Sequence, residues 1–193
     1  YIERFTELSN VVGLDFNWSK DWILLPAGAP PPDADAGLPG GLQITWGGIV
    51  VAGAPVGTVA FKQQHATAFF DGLNYRINAL VKLGTSDEEE QIAFRLLDLC
   101  LVLSPTYYLR VVPPSITAGP AAIFDQRMAT ARMDILGGLS DADRALPRVQ
   151  RAHDLACLPR RHGGLGHTRA QDLAPFSYLG GLALASKLQQ FAS

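Results

Sequence analysis

The feature that most constrains this chain is a change of period at Gly57. Before it, apolar residues come in short runs broken by glycine and proline; after it, they recur at helical spacing towards the end of the chain. Phe69, Leu73, Ile77 and Leu80 stand at i, i+4, i+8 and i+11, one stripe of a helix that ends near Gly84. A chain so ordered is expected to be α+β, mostly α: a small β element in residues 1–57, then a helical module in residues 58–193.

Within the first part, Ile2, Phe5, Leu8 and Val12 lie close to helical spacing, and Gly13 stops that helix. The run GLDFNWSKDWILL (Gly13–Leu25) follows, with Lys20 at the mouth of an apolar strand. Ala27 to Gly41 is rich in Pro, Ala, Gly and Asp and reads as a loop between strands. Leu42 to Trp46 alternates, Gly47-Gly48 suits a two-residue turn, and Ile49 to Ala52 would be the return strand of a hairpin. The glycines of Gly47–Gly57 lack the spacing of a phosphate-binding loop, and a turn with close backbone approach explains them better.

The helical part has its own punctuation. Ser86 and Glu89 form a capping box, and the acidic run Asp87–Glu90 sits where a helix dipole favours negative charge. That helix runs through Phe94, Leu97 and Leu101, breaks near Pro105, and its segment closes at Pro113-Pro114. Pro120 is expected to open the next helix, reaching about Leu136 before Gly137-Gly138. A shorter helix is predicted over Asp143 to Ala156. Thr168 would cap a last helix that Pro175 and Gly180-Gly181 kink or split.

Composition narrows the classes. Hydrophobic residues make up 48% of 193, against 18% charged, and mean hydropathy is +0.12. Such a balance means either a large helical core or an apolar surface that meets a further segment. A net charge of −2 gives no general affinity for nucleic acid, so any such site must be a local patch. Cys100 and Cys157 lie in apolar helical contexts, as buried hydrophobes of a reducing compartment do. No signal peptide is evident at the amino terminus, and Arg95, Asp98 and Arg110 interrupt the apolar run Ile92–Val112. An intracellular protein without a membrane partner is expected.

No catalytic constellation is complete. Two-metal nucleotidyl transfer needs paired carboxylates on rigid elements, whereas Asp33/Asp35 lie in a loop, Asp87–Glu90 cap a helix and Asp141/Asp143 open one. Cys157, His162 and His167 give C-x4-H-x4-H without the second pair of a zinc finger, and His65 and His153 are isolated. No nucleophile elbow occurs. Among the basic residues, Arg127, Arg144, Arg148 and Arg151 are spaced to place several on one helical face that could meet phosphates, or be balanced there by Asp134, Asp141, Asp143 and Asp154. Arg160-Arg161-His162, in a loop bounded by glycine, is the better candidate for phosphate contact.

Four segments in order resemble the carboxy-terminal half of non-LTR retrotransposon reverse transcriptases: GLDFNWSKDWIL; VVAGAPVG; TYYLRVVPP with AAIFD; and CLPRRHGGLGHTRAQDLAPFSYLGGL. The resemblance implies the end of a right-hand polymerase palm in residues 1–57 and thumb-like helices in residues 58–193. It also implies an RNA template, a DNA primer and the upstream palm and fingers of the same polypeptide as partners. No Tyr-x-Asp-Asp occurs, so the Mg²⁺ ligands of the parent enzyme would lie upstream of Tyr1, and no cofactor is expected in this chain. Lys20 matches the basic position after the catalytic loop, where such a group can protonate departing pyrophosphate. Gly53, Pro55 and Gly57 match the hairpin that positions the primer end, and Arg110, Arg160 and Arg161 would contact backbone. The competing expectation is a non-enzymatic relic: a helical interaction domain held by apolar packing.

Overall fold

A computed structural model describes residues 2–13, 18–32, 38, 40–85, 89–137 and 140–192. The chain is α+β and mostly helical, with four short strands among the described residues. Two units separate at Phe61/Lys62.

The amino-terminal unit begins with α1 (Ile2–Val11), which ends at Gly13 in the left-handed region. A 3₁₀ turn, Trp18–Lys20, leads to β1 (Trp22–Leu24). β1 pairs in parallel with β2 (Gln43–Thr45), and the Pro/Ala/Gly run connects them. The indole N–H of Trp46 donates to the Ala29 carbonyl (2.8 Å), which ties that connection down.

The hairpin lies elsewhere than the glycine pair suggests. It consists of β3 (Gly48–Val51) and β4 (Ala54–Gly57), in antiparallel register with Gly48 opposite Gly57. Its turn is Ala52-Gly53, both at positive φ (49° and 81°), as a two-residue hairpin of this twist requires. Gly47 and Gly48 instead leave room for neighbours. The ring of Phe61 occupies the place of a Gly48 side chain, and the backbone of Gly47-Gly48 occupies that of Gly57.

The carboxy-terminal unit is a helical core. α2 (Val59–Gly84) buries Ala66, Phe70, Leu73 and Ile77 along one face. α3 (Glu90–Leu96) continues into a π segment, Leu97–Leu101, and after a turn α4 (Thr106–Val111) follows. Glu90–Val111 is apolar and long enough to cross a membrane by composition, yet three separate elements share it, and Ala93, Leu97, Leu101, Tyr108 and Leu109 join the core. Tyr108 stacks on Phe69 with ring centroids 4.2 Å apart, and its hydroxyl lies 3.0 Å from His65 Nδ1; burial pushes its pKa up to about 12.

α5 (Pro114–Ile135) opens at Pro114, not Pro120, which lies inside the helix; Pro114 has the fixed φ and missing N–H that a first position tolerates. The single helix predicted over Asp143 to Ala156 is two, α6 (Asp141–Arg144) and α7 (Pro147–Cys157), because Pro147 starts a new first turn. α8 (Ala170–Ala192) runs unbroken through Pro175 and Gly180-Gly181. Its cap is not Thr168: the Asp125 carboxylate on α5 accepts from the backbone N–H of Ala170 (2.8 Å) and Gln171 (2.9 Å). Gly181 lets α8 approach the Arg110 carbonyl of α4, where a Cβ would have no room. Ser86 of the capping box, Asp87 and Glu88, the Asp33/Asp35 pair, Leu14–Asn17 and Gly138 lie outside the described residues.

Candidate functional site

In the amino-terminal unit Lys20 is exposed at the end of the 3₁₀ turn. Its two neighbours are fixed by one residue: Gln43 donates from its side chain to the Ser19 carbonyl (3.0 Å) and from its backbone to the Asp21 carbonyl (3.1 Å). A short turn thus acquires a defined position against β2. Lys20, Asp21 and Trp22 line a groove of about 600 Å³ with the backbone of Gly48–Ala52 and the Phe61 ring. An ammonium at the side of an open groove can meet an anion there.

The other hairpin residues divide. Gly53 is exposed in the turn, whereas Pro55 is buried on β4 opposite Val50. Gly57 is filled from within by Gly47-Gly48, so its missing side chain is explained by internal packing.

In the carboxy-terminal unit the LPRRHGGLGH run is a locked loop. Leu165 and His167 both donate backbone bonds to the Ala156 carbonyl (3.0 and 3.2 Å), and Gly166 donates to Leu158 (2.9 Å). Gly163 and Gly166 take positive φ, and Gly164 leaves no space for a Cβ against the Leu158 carbonyl. The loop turns Arg160, Arg161 and His162 outward on a 3₁₀ turn, where Arg161 Nε lies 3.2 Å from His162 Nε2. Arg110 is exposed on α4.

The four-arginine stripe does not form. Arg127 is on α5, Arg144 ends α6 and pairs with Asp134 of α5, and Arg148 and Arg151 are on α7. The break at Pro147 separates Arg144 from Arg148 and Arg151, which stay three residues apart on α7, and Arg127 lies on a different helix.

The same loop turns His167 inward, to a cluster that sequence reasoning missed. His167 Nε2 lies 2.9 Å from Asp98 Oδ2, and Arg132 Nε donates to Asp98 Oδ1 (3.0 Å). The His167 and Arg132 side chains are 5% and 8% exposed. Burial alone would raise the Asp98 pKa, but the His167 hydrogen bond and the charges of Arg132 and His167 prevail and lower it. Nearby His153 is held below its usual value by burial and by the charges of Arg169 and Arg132. A signal for the cluster existed: Arg132 falls on the buried stripe of Phe124, Met128, Ala131 and Ile135, an apolar face that ordinarily excludes charge. Among the described residues, no three His, Cys, Asp or Glu side chains are gathered as a metal site, and His162 faces outward while His167 faces Asp98.

No family model, curated protein or solved structure matches the chain.

Proposed function

We propose that this chain is the palm-end and thumb portion of a retroelement RNA-directed DNA polymerase, gripping a template–primer while Mg²⁺-binding aspartates come from sequence before Tyr1. The reading rests on the ordered resemblance of the four segments. The observation that best supports it is Lys20, flanked by two bonds to Gln43 and sharing a groove with the β3 backbone. In that role Lys20 meets phosphate or protonates a leaving pyrophosphate. Arg160 and Arg161, outward on a locked loop, supply a second phosphate contact.

Fluorescence anisotropy of a labelled RNA/DNA hybrid against the 193-residue chain tests the grip. Binding is expected at about 50 mM salt and to weaken steeply by about 200 mM. Removing both Arg160 and Arg161 should lower the slope of log affinity against log salt by about two. No binding at the lower salt rejects the reading. Fused to an intact upstream palm, Lys20→Ala should slow nucleotide incorporation; an unchanged rate removes Lys20 from the chemistry.

One observation favours the second reading, a non-enzymatic interaction domain. Along α8, Phe176, Leu179, Leu182, Leu184 and Leu188 are exposed on more than one side of the helix, apolar side chains of the kind that partners cover. Hybrid binding separates the two.

A further inference from the structure

We propose that the helical unit carries a binding site for an apolar small-molecule monocarboxylate, in the cavity lined by α5, α7 and the loop before α8. The cavity holds about 550 Å³, within the range of small-molecule sites. Most of its wall is apolar, from Phe94, Ala129, Met133, Val149, Ala152 and Ala156. The polar groups that line it are four: Arg132, Arg148, His153 and His167.

Three of the four, Arg132, His153 and His167, have buried nitrogens without a hydrogen-bond partner among the described residues. Arg132 spends Nε on Asp98, and its Nη2 is buried without a hydrogen-bond partner among the described residues. Both ring nitrogens of His167 are buried without a hydrogen-bond partner, Nε2 although it lies 2.9 Å from Asp98 Oδ2, and so is His153 Nε2. An unmet donor on a buried guanidinium is costly, more so than a neutral one. The one carboxylate against Arg132 and His167 is already engaged, and Arg148 adds positive charge at the exposed rim.

A carboxylate head meets this arrangement. Arg132 Nη2 and an imidazole N–H, closed to solvent in the free chain, donate to it after a side-chain rotation that uncovers them, while an alkyl or aryl body covers the apolar wall. Leu136 and Leu165, both exposed at the mouth, continue that apolar surface outward. A dianionic phosphate fits less well: Asp98 already balances Arg132, which leaves Arg148 to offset one ligand charge, and a second would enter a mostly apolar cavity uncompensated. The site is independent of the polymerase reading, since it uses neither Lys20 nor Arg160 and Arg161.

Isothermal titration calorimetry of the whole chain with octanoate, and with 1-octanol as the uncharged counterpart, tests the proposal. Octanoate should bind one to one, and octanol about tenfold more weakly or less. Ala152→Trp, which puts a large ring on the cavity wall and leaves Asp98, Arg132 and His167 unmutated, should abolish binding. Arg148→Glu, at the exposed rim, should weaken octanoate several-fold and leave octanol unchanged, and it keeps the test valid should the tryptophan variant not fold. Equal affinity for both ligands would leave no recognition of the head group. No octanoate binding, indifference to the rim variant, many-to-one uptake, or occupation only by an acidic amphipathic helix would each overturn the proposal.

Discussion

Asp98→Asn removes the charge between an almost fully buried guanidinium and an almost fully buried imidazole, and its cost follows from the geometry. Arg132 would keep its place on α5 with its Nε facing an uncharged amide, and His167 would lose its carboxylate. Breaking a buried pair costs about 3–5 kcal/mol, and Asp98, 23% exposed, belongs at the lower end, about 3 kcal/mol. For a chain of this size each kcal/mol moves the melting temperature by about 2–4 °C, so a fall of roughly 6–12 °C is expected. Differential scanning calorimetry at pH 7 measures it.

The pH dependence adds a second constraint. The Asp98 carboxyl titrates below its usual value in the folded chain. Its stabilisation is therefore complete above the unfolded pKa of about 3.9 and is lost as pH falls through the lower folded value. Wild type and Asp98→Asn should converge in acid. A double variant, Asp98→Leu with Arg132→Met, should regain much of the loss at pH 7, since it leaves no buried charge unpaired. Equal melting temperatures at pH 7, or a gap that persists in acid, would refute the ion-pair account.

Two further perturbations test packing. Gly180 and Gly181 are neighbours in α8 with opposite surroundings: open space at the first, the Arg110 carbonyl at the second. By thermal melting, Gly180→Ala should stabilise by about 0.5–1 kcal/mol, and Gly181→Ala should destabilise by about 1–3 kcal/mol; equal effects would contradict the α4–α8 approach. Ala52→Val at the positive-φ turn should cost about 1–2 kcal/mol, seen as faster hydrogen exchange in β3 and β4, while Ala52→Gly should not; similar exchange in both would mean the turn differs.

Much of the helical half was legible because apolar spacing reports helices well. The α2 stripe ends at Gly84 as predicted, where a Cβ would press on Ala93 and Ile135. What sequence alone misplaced were the roles of glycine and proline. Gly47-Gly48 reads as a turn, but its glycines make room for Phe61 and Gly57, and Ala52-Gly53 makes the turn. Pro120 reads as a helix start, yet Pro114 six residues earlier already fills that position. The cap of α8 and the partners in the Asp98 cluster were not legible for another reason, although Arg132 on a buried stripe signalled that some partner existed. Their partners are 34 to 69 residues apart, and local pattern carries no information about such pairings.

The π segment has a consequence in phase. Its defining bond runs from the Val102 N–H back to the Leu97 carbonyl (3.3 Å), one residue farther than an α-helix allows. Each residue of an α-helix turns the chain by about 100°, so one extra residue re-aims everything that follows by that angle. Leu97 and Leu101 can both face the core across it while Asp98 reaches Arg132 and His167. The segment lets one stretch of chain satisfy an apolar face and a charged cluster that a regular helix would set at fixed angles.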